Sequence, residues 1–292
     1  MKRLFLTLML SLAAMAAHAE VRVVATVPNM GMLVETVGGD AVRVTVLAPP
    51  DRDAHYLEAR PSMMAALRRA DLVVAVGAEL EVGWLSAALQ GAHNPSVQPG
   101  RQGYFEGAAH TDLIQVGGAA DRAMGDVHPA GNPHYYFDAL KMADVAEALA
   151  VRLGELAPEH AERFEANAAE FAEQAREHVE RWQARAEGAP GAVFYHKDAD
   201  YLAALLSVEI LGYIEPLPGI PPTARHLSEL VGSLRGKEGV ILYADFQPSR
   251  GPEFVARELG WQQHQLPNQV DIGADSQAYF ELINRWVEAL SP

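Results

Sequence analysis

The sequence contains no cysteine among its 292 residues. This excludes disulfide bridges and thiolate metal ligands, so a metal site would have to be built from imidazole nitrogens and carboxylate oxygens. A helical His-Glu-x-x-His pair, the zinc-binding pattern of many metalloproteases, is also missing. Basic residues are few, since 23 Lys and Arg stand against 38 Asp and Glu, which gives a formal net charge of −15. This balance argues against a nucleic-acid partner, because phosphate binding needs a basic surface.

Only one long apolar run is present, and it lies at the N-terminus. Lys2 and Arg3 precede the 14-residue run LFLTLMLSLAAMAA, and small residues continue to Ala19. The run is shorter than the roughly 20 residues that a membrane-spanning helix needs, and the whole arrangement is typical of a secretory signal. We therefore expect residues 1–19 to be a cleaved signal peptide. Because no cysteine follows that could carry a lipid anchor, we expect a freely diffusing periplasmic protein.

The rest of the chain alternates between strand-like and helix-like segments. VRVVATV, VRVTVLAPP and DLVVAVG predict strands in the first half, and GAVFYH, VEILGYI and GVILYADF predict strands in the second. The segment TDLIQVG predicts a further strand within the Gly- and Ala-rich region 91–133. Strands that alternate with helices favour parallel sheets covered by helices. The sequence therefore predicts an α/β fold with two lobes, each a mainly parallel sheet flanked by helices.

A single long helix separates the two halves. Residues 156–188 are rich in Ala, Glu and Arg and contain no internal helix breaker. Pro158 suits a helix start and Gly188 a helix end. The predicted organisation is an N-terminal lobe over residues 20–155, a connecting helix over 156–188 and a C-terminal lobe over 189–292.

Three of the eleven histidines, His55, His134 and His196, lie on predicted loops close to strand or helix ends. Such loops carry many binding sites in α/β folds, although each histidine alone would equally suit a turn or a packed ring. The three come from both halves of the chain, so a cleft between two lobes could bring them together. The carboxylate most suited to complete a set of four ligands is Asp271. Asp245 competes with it, and Asp275 could instead cap the last helix.

Three imidazoles and one carboxylate suit Zn²⁺, which takes four nitrogen or oxygen ligands tetrahedrally. Mn²⁺ prefers more oxygen ligands. A zinc-dependent hydrolase is an alternative, but catalytic zinc usually keeps an open, water-bearing position. Four protein ligands would fill that position.

Four segments in order resemble the metal-binding receptors of bacterial zinc and manganese ABC transporters, known as cluster A-I or ZnuA-like. They are DAHYLEARPSMMAALRRADLVVAVGAELE, NPHYYFD, VFYHKDADYLA and VDIGADSQAYFELINRWVEAL. The resemblance covers essentially the whole chain after residue 19. It is closest to the AztC type of periplasmic zinc receptor. One departure is Asn132, where the family usually has Asp before Pro-His.

The resemblance implies that His55 and His134 of the first lobe and His196 and Asp271 of the second bind the metal. Manganese carriers of the family usually have a carboxylate at the third position, so His196 favours zinc over the alternative of a manganese receptor. The implied function is not enzymatic. The protein would capture Zn²⁺, act as a monomer and deliver the ion to an ABC-transporter permease, and a periplasmic zinc metallochaperone is an implied further partner.

Many zinc receptors of this family carry a long His- and Asp-rich loop in the first lobe. Here residues 105–133 contain only scattered acids and histidines. Asp126 and His128 are the residues of this region that we predict to act as a lid or as accessory metal contacts.

Overall fold

A computed structural model describes residues 20–117, 128–217 and 219–291. The predicted signal peptide at residues 1–19 and the predicted accessory residue Asp126 lie outside these ranges.

The first lobe is a sheet of four parallel strands in the order β2-β1-β3-β4. Its elements are β1 Val21–Ala25, α1 Pro28–Gly38, β2 Val42–Val46, α2 Pro61–Arg68, β3 Leu72–Ala75, α3 Leu85–Ala92, β4 Tyr104–Glu106 and α4 Ala139–Leu156.

The second lobe repeats this topology with the order β6-β5-β7-β8, again parallel throughout. Its elements are β5 Gly191–Phe194, α6 Asp200–Leu206, β6 Ile210–Tyr213, α7 Ala224–Leu234, β7 Gly239–Ala244, α8 Arg250–Leu259, β8 Gln262–Leu266 and α9 Ser276–Leu290. The predicted fold class of two parallel sheets flanked by helices is confirmed.

The long helix is α5, Ala161–Ala186, and it follows a short 3-10 turn that begins at Pro158. Its buried stripe includes Phe164, Phe171 and Trp182, at the helical spacing that the sequence shows. Because the apolar residues recur on one face only, the opposite face of α5 carries its charged residues in solvent. The exact lobe boundaries at 155/156 and 188/189 stay a prediction.

Alternate residues of the central strands face two different layers. Val23 of β1 and Phe194 of β5 point into one core that also contains side chains of α1, α4, α5 and α9. Val24 points to the opposite face, towards α2 and α3, and Val193 points towards α7 and α8. Since the two sheets share the middle layer of helices, moving one sheet relative to the other would disturb a common core.

The strand predicted at TDLIQVG is absent from the structure. The fourth strand of the first sheet is instead β4, where Tyr104 and Phe105 pair with Val73 and Val74 of β3. In the predicted segment, Gln115 has a φ of 59° and Gly117 a φ of 84°. This left-handed backbone turns the chain and cannot continue an extended strand.

Two aspartates cap helices, and one of them is Asp275, for which the sequence allows this role. Asp138 accepts hydrogen bonds from the main-chain N–H groups of Leu140 and Lys141 at the start of α4. Asp275 accepts from Ala278 at the start of α9. In the described part of the chain, no helix is both long and apolar enough to cross a membrane.

Candidate metal centre

The carboxyl ends of the strands in both sheets meet at one cleft. The segments that follow β1, β2, β7 and β8 line a cavity of about 10 Å³, with Pro28, Asp53, Phe246 and Asn268 among the lining residues. A space of this size holds about one water molecule. A wider cleft of about 500 Å³ reaches His196 between Tyr56 of the first lobe and Glu215 of the second. The two spaces lie next to each other, since Arg52, Asp53 and Phe246 line both.

His55 sits in a 3-10 turn, Ala54–Tyr56, that follows β2. The carboxylate of Asp53 accepts from the main-chain N–H of His55 at 2.9 Å and from its ring Nδ1 at 2.7 Å. The carbonyl oxygen of Ala54 accepts from the indole N–H of the buried Trp84 at 2.8 Å. These contacts fix both the backbone of the turn and the orientation of the imidazole.

His134 is held in the same way. The side-chain oxygen of Asn132 accepts from the main-chain N–H of His134 at 2.9 Å and from its Nδ1 at 2.8 Å. His134 is 1% exposed and lies directly before the buried 3-10 turn Tyr135–Phe137. Burial of these aromatic side chains anchors the segment under the cleft.

His196 follows β5 in the second lobe and is 7% exposed. Its Nδ1 lies 3.0 Å from Oε2 of Glu215, which also accepts from the main-chain N–H of Gly219 at 3.1 Å. Its Nε2 is buried and has no hydrogen-bond partner among the described residues. A buried nitrogen without a partner is costly unless something else binds it.

The three imidazoles converge. Their ring centroids are 5.2 Å apart for His55–His134, 5.6 Å for His55–His196 and 5.2 Å for His134–His196. One ligand atom from each lies within 4.8 Å of the others. Among the described residues, this is the one group of three or more histidines or acidic residues with ligand atoms that close. Ligands at about 2.0–2.1 Å from a tetrahedral zinc are about 3.3 Å apart, so small side-chain rotations would bring all three nitrogens onto one ion.

The hydrogen bonds also determine which ring nitrogen carries the proton. Carboxylate oxygens only accept, so the Nδ1 atoms of His55 and His196 donate to Asp53 and Glu215. The oxygen of Asn132 already accepts from a main-chain N–H, so His134 donates to it from Nδ1 as well. Each Nε2 is therefore left as the nitrogen that can bind a metal.

The electrostatics of the cluster suit a cation. Burial lowers the pKa of His134 well below its usual value, so this ring is neutral. Burial also lowers the pKa of His196, but the nearby carboxylates of Asp198 and Glu215 outweigh it and raise the pKa to about 9. Burial raises the pKa of Asp53, but hydrogen bonds from His55 outweigh it and hold the pKa below the usual value. Carboxylates around the three imidazoles thus favour a positive charge at this point.

Comparison with known proteins places the chain in a family. A sequence model of the family described as ZnuA, zinc-uptake complex component A periplasmic, matches residues 23–291. The chain belongs to the ZnuA family. The predicted ZnuA-like relationship is confirmed, and this family consists of solute-binding proteins and not of enzymes.

One relative of this ZnuA-family chain is the high-affinity zinc uptake system protein ZnuA of Paracoccus denitrificans (strain Pd 1222). The two are 41% identical over 86 residues, which cover 29% of this chain and 26% of that relative. The chain thus spans about a quarter of the length of this relative.

Two solved structures share the fold. A crystal structure of ZnuA superposes with a TM-score of 0.76 at 22% identity and covers 93% of this chain and 100% of that one. The SBP FpvC from Pseudomonas aeruginosa in complex with Mn²⁺ gives a TM-score of 0.77 at 22% identity, and covers 92% of this chain and 96% of that one.

Asp271, the predicted fourth ligand, does not lie with the three histidines in this ZnuA-family chain. It is exposed, and its carbonyl oxygen accepts from Ala274 at 3.1 Å in a turn that leads to α9. From the segment after β8 it is Asn268 and Gln269 that line the small cavity. The competing candidate Asp245 is also exposed.

Two other side chains place a polar atom within 3.5 Å of an Nε2 atom of the cluster. Oδ1 of the buried Asp198 is 3.5 Å from Nε2 of His134, while Oδ2 of Asp198 accepts from Gln247. The Nε2 of His128, predicted as an accessory residue, is 3.2 Å from the Nε2 of His55. His128 therefore does reach the cluster.

The residues that hold the histidines are the ones that sequence reasoning missed. Asp53 and Asn132 each stand two positions before a histidine, and this shared Asx-x-His spacing was a readable signal. Glu215 lies 19 residues after His196, and no local pattern connects the two. Asp198 lies two residues after His196, in a segment where a carboxylate is equally compatible with a helix start.

Proposed function

We propose that this chain is a periplasmic receptor that captures one Zn²⁺ between its lobes and delivers it to an ABC-transporter permease. The observation that carries the proposal is the arrangement of His55, His134 and His196. Each presents Nε2 to one point while an oxygen acceptor binds its Nδ1. Such outer hydrogen bonds orient imidazole ligands and raise their basicity in metal sites.

Nitrogen ligands support zinc over manganese. Three imidazoles suit zinc, whereas Mn²⁺ favours carboxylate, carbonyl and water oxygens. Charge supports a divalent ion of either kind, because the carboxyl groups of Asp53, Asp198 and Glu215 surround three imidazoles that bind a metal in their neutral form. Burial raises the pKa of Asp198, and a cation beside it would favour its ionised form. A dication offsets most of that negative charge at a site shielded from water.

Two carboxylates are candidates for the fourth ligand, and they differ in whether they must move to reach the ion. Asp271, which the resemblance implies, is exposed and does not belong to the group of possible ligands at the cluster, so it would have to move to reach the ion. Asp198 needs no such change, since its Oδ1 is already 3.5 Å from the Nε2 of His134, close to the spacing of two ligands on one tetrahedral ion. We assign the fourth position to Asp198 in this conformation.

The permease, the metallochaperone, the monomeric state, the AztC type and export through a cleaved signal at residues 1–19 stay predictions. The family description supports a periplasmic location. The zinc-hydrolase alternative loses its support, because the family is one of solute-binding proteins.

Zinc titration of the protein lacking residues 1–19 tests the proposal. We expect one tightly bound Zn²⁺ per chain, and Mn²⁺ in tenfold excess should not displace it. His196→Ala should weaken zinc binding more than tenfold, whereas His160→Ala, on the N-terminal side of α5, should leave the affinity unchanged. Equal affinities of the two variants would remove His196 from the site, and a preference for Mn²⁺ would replace zinc by manganese as the cargo.

A further inference from the structure

Two stretches of the first lobe dock onto the second lobe beside the metal centre. We call residues 113–117 and 129–132 the docking segment. The two stretches pair with each other, since Asn132 donates from its main-chain N–H to Ile114 at 2.9 Å and Gly117 donates to Pro129 at 3.0 Å. Gly131, with a φ of 125°, has room for no side chain, because a Cβ there would lie 2.6 Å from Leu113. The docking segment is therefore a closely packed unit.

The surface that receives it is the start of α6 with the 3-10 turn before it. The hydroxyl of Tyr201 donates to the carbonyl oxygen of Asn132 at 2.6 Å and accepts from the N–H of Ile114 at 3.1 Å. The side chain of Gln115 donates to Asp200 at 2.6 Å and accepts from Lys197 at 3.3 Å. These bonds cross from one lobe to the other within a few residues of His134 and His196.

The side-chain amide of Asn132 joins this contact to the histidines. Its oxygen is fully used by His134, as described above, and its Nδ2 donates to the carbonyl oxygen of Lys197 at 3.0 Å. Lys197 directly follows His196 in the chain. One 4% exposed amide thus connects the ring of one histidine to the backbone beside another, in the opposite lobe.

We propose that Asn132 is a positioning residue that couples metal binding to the docking of the docking segment on the second lobe. The proposal rests on the zinc site proposed above. An ion that draws His134 and His196 together sets the distance between the two backbone segments that Asn132 bridges. Coupling between two such events is reciprocal, so the docked segment also favours the metal-bound arrangement. Whether the docking segment is docked at the protein surface then depends on whether the metal site is occupied.

The chemistry of the amide makes the coupling separable from ligand orientation. A carboxylate in place of Asn132 would still accept from the N–H and Nδ1 of His134, so the imidazole would keep its orientation. It has no donor for the carbonyl of Lys197, and two oxygens would face each other there. The Asn132→Asp variant therefore removes the bridge between the lobes while it leaves the support of His134 in place.

Hydrogen exchange followed by mass spectrometry, with and without Zn²⁺, tests the proposal on peptides that cover residues 111–117 and 129–137. In the unmodified protein, zinc should slow exchange in these peptides at least tenfold. In Asn132→Asp, the added negative charge beside His134 favours the bound dication, so zinc should bind at least as tightly as in the original, yet slow exchange less than threefold. A matched control is Asn167→Asp, which loses a comparable Nδ2 bond, 2.9 Å to the carbonyl of Val37, away from the cleft. It should keep the tenfold effect.

Each outcome decides something. A full tenfold slowing in Asn132→Asp would overturn the coupling, and so would a folded Asn132→Asp that no longer binds zinc. Should Asn132→Asp not fold, Tyr201→Phe takes its place, because it removes the hydroxyl that holds Asn132 and Ile114; an unchanged zinc effect there would equally overturn the coupling. If the unmodified protein fails to bind zinc, the proposed function is rejected instead. The zinc titration of the unmodified protein shows this before any variant is made.

Discussion

The carboxylate of Asp53 accepts two hydrogen bonds from His55, one from its main-chain N–H at 2.9 Å and one from its ring Nδ1 at 2.7 Å. Asn132 makes the same two bonds to His134. In both cases a short side chain fixes the backbone, the ring orientation and the tautomer of a histidine. The two differ in charge, so Asp53 places a negative charge beside its histidine and Asn132 does not.

Asp53→Asn tests the value of that charge. The amide oxygen would still accept from His55, as Asn132 does from His134, but the negative charge would be lost. We expect zinc affinity to fall about tenfold, which is the lower end of the effect of such outer partners. Competition with a chromophoric chelator measures it. The neighbouring Asp51→Asn, at an exposed position, is the control and should stay within about twofold; an equal loss in both variants would mean that only the overall charge matters.

Asp198→Asn and Asp271→Asn decide the fourth ligand. Asp198 is buried at the cluster and Asp271 is exposed, so Asp198→Asn should weaken zinc binding at least tenfold and Asp271→Asn less than about twofold. Isothermal titration of both variants under the same conditions gives the comparison. The opposite ranking would restore Asp271 as the ligand and would require it to move towards the histidines when the metal binds.

Trp84→Phe tests how the turn of His55 is supported. Phenylalanine keeps most of the buried ring but cannot donate to the carbonyl of Ala54, so one buried acceptor loses its partner. The free energy of unfolding should fall by about 1–3 kcal/mol, and zinc should dissociate faster. The control is Trp261→Phe, whose N–H donates to Lys237 at 3.3 Å in an exposed position. Urea unfolding and stopped-flow zinc release measure the two effects, and equal results for both tryptophans would contradict the role given to Trp84.

Asn29→Ala tests the fixed contact between the lobes. Asn29 is fully buried, donates to the carbonyl of Asn268 at 3.2 Å and accepts from the N–H of Val270 at 3.0 Å. Truncation leaves both buried groups unpaired, so the free energy of unfolding should fall by about 2–5 kcal/mol.

The control for this variant is Asn284→Ala, which loses one exposed bond to Glu288 and should change stability by less than about 0.5 kcal/mol. Chemical denaturation of the zinc-free proteins gives both values. A loss below about 1 kcal/mol in Asn29→Ala would show that the lobes do not depend on this contact.

Much of the fold was predictable because its signals are local. DLVVAVG predicts a buried strand, and Leu72–Ala75 is one; the helical spacing of Phe164, Phe171 and Trp182 predicts α5. The prediction of a strand at TDLIQVG was wrong. The backbone turns at Gln115, and the main-chain N–H of Ile114 binds the hydroxyl of Tyr201 in the other lobe. No property of those seven residues alone shows that partner.

For the site, the sequence by itself determined the chemistry: no thiolates, an acidic chain, and histidines on loops beside strand ends in each half. It also contained the Asx-x-His spacing that orients His55 and His134, since that interaction spans only two residues. Only the tertiary structure decided which residues meet. Glu215 reaches His196, Asp198 reaches His134 and Asp271 turns to solvent because the packing of two sheets on a shared helical layer sets those distances, and no local pattern encodes them.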